Sequence, residues 1–364
     1  MPGGHSNAIR SFIACQRAKG INAAAISPKS DAGAVETSWE FPVAEVDSLW
    51  SLRWAAIAER FKIAPGNSLL NLHSVNRRYA PLLADLGRTG VPYALTSHGQ
   101  LSFQGPWRWL KKFVYLNFVN RGPRNAAGLH VLTRFAARRT RYLLPGYRGV
   151  KMVQGNLVTV PDLANLPLGA RRDYQIPDEA FVLMFLGRLD VWVKGLDLLV
   201  EAFACLPPRR FRLVLVGPDW NNGRAKLEQL ATQFGCRDRM YFLGPLYGEK
   251  KWSALRMADA FVSPSRWEAF SIAQAEAMAL GLPVVTTTGV NLAPDLREAD
   301  AALLTPPVVE PLARALATLE ADAERRRALG TRGKAWMQAN CDPDRAGARF
   351  QEFYHSLLQQ PQGA

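Results

Sequence analysis

Between Asp85 and Asp162 the chain contains no acidic residue, while Lys111, Lys112, Arg138, Arg139 and eight further basic residues fall there. Cysteine is also sparse. Cys15, Cys205, Cys236 and Cys341 are scattered, without a CxxC pair. That argues against a zinc site or a disulfide framework and fits a reducing compartment. No apolar run approaches the ~20 residues needed to span a bilayer. The N-terminus lacks the basic and apolar regions of a secretory signal. A cytoplasmic chain is therefore expected. No G-x-G-x-x-G follows a strand pattern and no Walker A lysine motif occurs, which argues against a nicotinamide dehydrogenase or a P-loop ATPase. Repeats and low-complexity tracts are absent too.

What is present is a globular composition, 48% apolar and 21% charged over 364 residues. That length suggests two domains. Charge divides unevenly between the halves. Residues 1–170 hold 21 Lys and Arg against 8 Asp and Glu, and residues 171–364 hold 24 against 23. A one-sided field of this kind attracts anionic lipid, nucleic acid or an acidic substrate. The segment PWRWLKKFVYLNFVNR (106–121) interleaves bases with aromatics. It suits an interfacial amphipathic helix, and equally a helix with an aromatic core face and a basic solvent face. The basic run lacks a recognised nucleic-acid-reading module, so no nucleic-acid partner is expected.

Both halves read as alternating strands and helices, which implies parallel, doubly wound sheets. In the first half, strand patterns end at His73 and His98, and Ala127–Leu132 reads as another, with Thr133 capping an Arg-rich helix. In the second, Phe181–Leu186, Phe211–Val216, Met240–Leu243, Ala260–Ser263 and Leu282–Thr286 read as strands. The join lies near 155–175, giving expected domains of 1–160 and 161–342 with a last helix over 343–364. Folds of this kind bind ligands at the C-terminal edges of their strands, and a cleft between the two domains would collect them.

The stretch RWEAFSIAQAEAMALGLPVV (266–285) carries Glu268 and Glu276 in an otherwise oily run. Ser271 followed by Gln274 is a capping-box pattern, so a helix starts at Ile272 and Gly281 with Pro283 ends it. Glu268 then lies in the entering loop and Glu276 inside the helix. Arg188 and Lys194 flank another loop that runs into a helix N-terminus, an arrangement that suits a diphosphate. Glu276 is placed to accept hydrogen bonds from a ribose diol, and Glu268 from a sugar hydroxyl.

These residues carry a resemblance. GRLDVWVKGLDLLVEAF (187–203) and SRWEAFSIAQAEAMALGLPVV (265–285) resemble the two signature segments of the retaining glycosyltransferases of family 4. LTSHGQL (95–101) is similar to that family's HG loop, and FLGPLYGEKKWSALRMADAFVSPS (242–265) to the stretch with its nucleotide-base loop. The resemblance implies two Rossmann-like domains of the GT-B type facing a cleft, with the last helix crossing back to the first domain. Arg188, Lys194, Glu268 and His98 would form the catalytic set. The donor would be held by Gly3 and Gly4 of a glycine-rich loop, Gly187, Leu243, Leu246, Phe270, Ser271 and Glu276. His73, Lys111 and Lys112 would lie on the acceptor or membrane side. The donor would be a nucleotide sugar, UDP or GDP most simply, with no cofactor and no metal. The acceptor would be lipid-linked or a polysaccharide, at an anionic membrane surface on the cytoplasmic side. The alternative is a non-catalytic scaffold of a polysaccharide biosynthesis complex.

The sequence departs from the family in three places. The family opens with a strand ahead of its glycine-rich loop, whereas this chain opens at Pro2-Gly3-Gly4. A lost central strand would expose its neighbours' edges, so a start upstream of Met1 is expected. Ala269 stands where a glycine is usual, and a positive φ there would cost about 1 kcal/mol. VQGNLVTVPD (153–162) matches the usual interdomain turn only loosely. Asp342-Pro-Asp344 mimics a metal-binding DxD, yet its position reads as a turn and a helix start.

Overall fold

The computed structural model describes residues 4–28, 41–46, 48–101, 106–162 and 171–359. The chain divides into two compact units, one of Met1–Leu157 with Asn340–Ala364, the other of Val158–Ala339.

The first unit begins with α1 (Gly4–Ala18), β1 (Ala25–Pro28), β2 (Val43–Val46), α2 (Trp54–Phe61), β3 (Leu70–His73), α3 (Ala80–Thr89) and β4 (Tyr93–Ser97). It continues with α4 (Pro106–Val114), the short α5 (Gly122–Asn125), β5 (Gly128–Val131), α6 (Arg134–Leu143) and β6 (Val150–Val153). Its described strands form two parallel sheets, a pair β1-β2 and a set of four in the order β3-β4-β5-β6. Leu72, Leu95, Leu129 and Val131 pack there against Leu82 and Leu86 of α3. Thr133 caps α6, its hydroxyl accepting from the amide of Ala136 at 3.1 Å.

The second unit is a single six-stranded parallel sheet. Its elements are β7 (Phe181–Leu186), α7 (Leu196–Ala204), β8 (Phe211–Val216), α8 (Gly223–Gln233), β9 (Met240–Gly244), α9 (Gly248–Arg256) and β10 (Ala260–Ser263). Then come α10 (Ile272–Ala279), β11 (Val284–Thr287), α11 (Ala293–Glu298), β12 (Leu303–Thr305), α12 (Val309–Ala321) and α13 (Ala323–Asn340). The strand order is β12-β11-β10-β7-β8-β9. The apolar run of β7, and that of β8 after Arg212, are what a strand covered by helices on both faces requires. Leu183, Phe185, Leu213 and Leu215 pack against Leu199 and Phe203 of α7 and Leu316 and Leu319 of α12.

The last helix, α14 (Pro343–Leu358), belongs to the first unit and packs along α1. It buries Phe350, Phe353, Tyr354 and Leu357. Phe350 meets Phe12 edge-on with ring centroids 5.2 Å apart. A side chain at Gly128 would collide with Phe353, its Cβ lying 2.5 Å from the ring, so glycine there lets the helix seat on β5. Asp342 caps α14 by accepting from the amide of Arg345 at 3.0 Å, and Asp344 pairs with Lys19 at 3.2 Å. Both acids are thereby occupied as a helix start.

Candidate functional site

In the second unit the strand order reverses between β7 and β10, and ligands of doubly wound sheets sit outside the C-terminal strand ends at such a switch point. The residues following those two strands are the ones the sequence singled out. After β7 come Gly187, Arg188, Lys194 and then α7. After β10 come Arg266, Glu268, Phe270, Ser271 and then α10. The two loops are bound to each other. Gly195, with φ 65°, lies so near Pro264 that a Cβ would stand 2.1 Å from its carbonyl oxygen. The amide of Arg266 donates to the carbonyl of Val193 at 3.0 Å. The Arg266 guanidinium makes a two-pronged pair with Asp197 at 2.7 Å per bond and lies 3.8 Å from the centroid of Trp192.

That framework brings Lys194 and Glu268 together as an ion pair, both half-buried. Arg188 is exposed, lies over Trp220 at 4.4 Å from the ring centroid and has no carboxylate partner among the described residues. Two helix N-termini, of α7 and α10, open beside these side chains. The Ser271 hydroxyl accepts from the amide of Gln274 at 3.3 Å. The reciprocal half of the capping box is not made, since both polar atoms of the buried Gln274 side chain lack a partner. Ala269 lies outside the left-handed region, so the expected strain is not present. Its loop is held by a bridge from Glu268 to Val290 and by the amide of Asn291 donating to the Glu268 carbonyl at 2.9 Å.

Glu276 is only 9% exposed. Burial raises the pKa of its carboxyl, and the Lys251 ammonium, 2.5 Å away, opposes the rise. Lys251, on α9, was not anticipated from the sequence. Leu243 lies at the end of β9 and Leu246 in the loop that leads to α9, so the element that offers backbone groups beyond β9 also carries the partner of Glu276. Phe270 is buried.

In the first unit, His73 at the end of β3 and His98 just past β4 come together, Nδ1 of one and Nε2 of the other 3.0 Å apart. They were expected in separate roles, and the register of β3 on β4 makes them neighbours. A third histidine, His130 on β5, is fully buried and was not anticipated. Its Nε2 lies 2.8 Å from the Gln154 carbonyl, and burial lowers its pKa to about 4. Gly4 corrects an expectation: it is the first residue of α1 and not part of a loop, because the run after it continues as helix to Ala18. Gly3 lies outside the described residues.

Of the two arrangements expected for 106–121, an interfacial helix and an aromatic core face with a basic solvent face, the structure carries features of each. Trp109 and, just past α4, Leu116 pack on the core and Phe113 is half-buried, whereas Trp107 (75% exposed), Leu110 and Val114, with Phe118 (66% exposed) beyond the helix, face outward. Lys111 beside them is exposed and Lys112 is half-buried, its pKa lowered by burial and by Arg108. After α4 the chain passes through a π-turn, Tyr115–Val119, whose Asn117 donates to the carbonyls of Phe113 and Leu143. Among the described residues no helix is long and apolar enough to cross a membrane.

Residues 170–336 match the family described as glycosyl transferases group 1. A D-inositol 3-phosphate glycosyltransferase of Stackebrandtia nassauensis is 37% identical over 146 residues, 38% of this chain and 33% of that protein. The chain thus aligns with about a third of the length of that curated relative. Among solved structures, sucrose-phosphate synthase of Thermosynechococcus elongatus superposes with a TM-score of 0.76 at 22% identity, covering 98% of this chain and 94% of the other. HepE of Anabaena, in complex with UDP and glucose, does so with a TM-score of 0.73 at 19% identity, covering 98% and 97%. These neighbours share the GT-B type of fold, two Rossmann-like domains with parallel sheets.

Proposed function

We propose, from the premise that residues 170–336 form a glycosyl transferase domain of group 1, that this chain transfers a sugar from a nucleotide diphosphate sugar with retention of configuration. The observation that carries the reading is the Lys194–Glu268 pair at the switch point of β7 and β10, with the buried Glu276 one element further on. The reaction breaks a glycosidic bond to phosphate, and negative charge grows on the departing diphosphate. Arg188, Lys194 and the N-termini of α7 and α10 supply positive potential to that charge. An ammonium has three donors and a carboxylate about four acceptor sites, so Lys194 and Glu268 can hold each other and still contact phosphate and sugar hydroxyl. Glu276 takes the ribose diol, and the backbone at Leu243 and Leu246 the base. For His98 we keep the role the resemblance implies, a polar contact near the reacting sugar. The acceptor's proton passes to the leaving phosphate oxygen, so this reading assigns no side-chain nucleophile and no metal.

UDP is the favoured nucleotide, because the HepE structure holds UDP and glucose. The acceptor is read as a lipid-linked or polysaccharide glycan at an anionic membrane face. The exposed apolar stripe of α4 beside Lys111 and Lys112 supports this, since aromatics flanked by bases suit the headgroup region.

A thermal-shift screen of the whole chain against UDP-, GDP- and ADP-sugars tests the reading. A UDP-sugar should raise the melting midpoint, because a ligand that binds only the folded state stabilises it. Lys194→Ala and Glu276→Ala should each weaken donor use by at least ~10-fold, since charge-assisted hydrogen bonds contribute about 1.5–3 kcal/mol. No shift with any nucleotide sugar, or near-unchanged turnover in both variants, would sink it.

A further inference from the structure

The ladder between β7 and β8 runs on past the ends of the two strands. The amide of Gly187 donates to the Val216 carbonyl at 2.9 Å and that of Leu189 to the Pro218 carbonyl at 3.0 Å, and a parallel bridge pairs Leu189 with Asp219. At Gly217, with φ 147°, a Cβ would collide with the Gly187 carbonyl, and at Gly223 one would collide with the carbonyl of Leu189. Glycine at both places lets the loops after β7 and β8 lie against each other. Asp219 then fixes the second loop, one carboxylate oxygen accepting from the amides of Trp220 at 2.8 Å and Arg224 at 2.9 Å. Arg188 and Trp220 are thereby set together, the guanidinium carbon 4.4 Å from the ring centroid. Trp220 is exposed, so core packing does not account for it.

The other cations around this strand edge are held differently. Lys194 pairs with Glu268, Arg266 with Asp197 and Lys251 with Glu276. Each carboxylate takes donors from its partner and cancels its charge. Arg188 has an aromatic face where those three have an acid. A ring attracts a cation through the negative face of its π-system. Such a contact spends no N–H group on an acid and cancels no charge. It also restricts a long side chain that would otherwise lose much rotamer freedom on meeting a ligand.

We infer that Trp220 is a positioning residue, holding the Arg188 guanidinium, charged and with its donors unspent, where the diphosphate of the donor arrives. This rests on the donor reading given above and adds a residue to it. Trp220 acts through Arg188 and makes no contact of its own with the nucleotide. The anion meets a side chain already in place, so the cost of ordering it falls on folding and not on binding.

Calorimetry on the whole chain tests this with UDP, GDP and ADP, each beside its nucleoside. Trp220→Ala should weaken binding of the diphosphate that the unaltered chain takes by about 5-fold, the size of effect a cation–π contact supplies, and leave the matching nucleoside within about 2-fold. Trp220→Phe, which keeps a π face, should retain most of the affinity. Trp220→Leu, which keeps apolar bulk alone, should behave as the alanine variant. In an Arg188→Ala background, Trp220→Ala should change diphosphate binding no further. A loss that persists in that background would overturn the assignment, because Trp220 would then be touching the nucleotide itself. Equal loss of nucleoside and diphosphate would overturn it as a general collapse of the loop, and so would full affinity in Trp220→Leu. Unchanged diphosphate binding in Trp220→Ala overturns the assignment and leaves the donor reading standing, whereas an unaltered chain that binds none of the three diphosphates overturns both. Should Trp220→Ala not fold, Trp220→Leu carries the same comparisons.

Discussion

Glu276 holds a charge where burial disfavours it, and Lys251 is what makes the charge tolerable. Breaking the pair should cost more than leaving neither partner charged. Lys251→Ala is expected to destabilise the chain by about 2 kcal/mol, between the values for exposed and fully buried pairs. Lys251→Met combined with Glu276→Gln should recover most of that loss, and urea denaturation of the two variants measures it. His130 gives a pH signature. Burial lowers its folded pKa to about 4 from the ordinary 6.5 of a histidine. The unfolded state therefore takes up the proton first as pH falls. The contribution is fully present above about pH 6.5 and is lost towards pH 4, amounting to about 3 kcal/mol. His130→Gln should flatten the fall of the urea midpoint between pH 6.5 and 4.5, and an unchanged slope would count against this account. Local punctuation made Arg188, Lys194, Glu268 and Glu276 readable, because each sits beside a strand end or a helix start. Lys251 and the Arg266–Asp197 clamp were not readable. Their partners lie 25 and 69 positions away, and only the sheet order brings them close.

Among the elements, α4 is the one whose exposed surface runs against the usual rule. The exposed Trp107, Leu110 and Val114 on α4, and Phe118 just past it, together with Lys111, are the surface that the proposed membrane contact would use. Trp107→Ala with Phe118→Ala is expected to weaken partitioning onto phosphatidylglycerol vesicles at least ~10-fold, since two aromatic side chains carry about 1.5–3 kcal/mol each on burial. Raising the salt should weaken binding of the unaltered chain as well. Equal binding to neutral vesicles would remove the electrostatic part of the argument. Gly195 makes the corresponding test in the second unit. Gly195→Ala forces a Cβ onto the backbone of Pro264, and both nucleotide-sugar binding and the melting midpoint should fall together. Five of the six strands of the second unit were legible, most plainly β7 and β10, which lie buried and read as apolar runs, whereas the three-residue β12 was too short to be read. β1 and β2 were not legible either, because AISP and VAEV carry too short and mixed a pattern to separate from loop. The exposed side of α4 could not be read either, since aromatics line both of its faces.

For the whole molecule, the division into units does not follow the order of the chain. The first unit contains residues from both ends, and α14 supplies Phe350, Phe353, Tyr354 and Leu357 to its interior. Removing residues 342–364 should therefore leave the six-stranded unit intact and make the first unit protease-sensitive, which limited proteolysis with mass mapping of the fragments would show. Equal resistance in both units would mean that α14 is dispensable. The same arrangement bears on synthesis. When a ribosome has released residues 1–157, the helix that closes their core does not yet exist, and all of residues 158–339 must be made first. At about 5–20 residues per second that is an interval of roughly 10–40 s. During it, the apolar floor under α14 is bare, and the nascent chain needs a holding chaperone more than its finished stability would suggest.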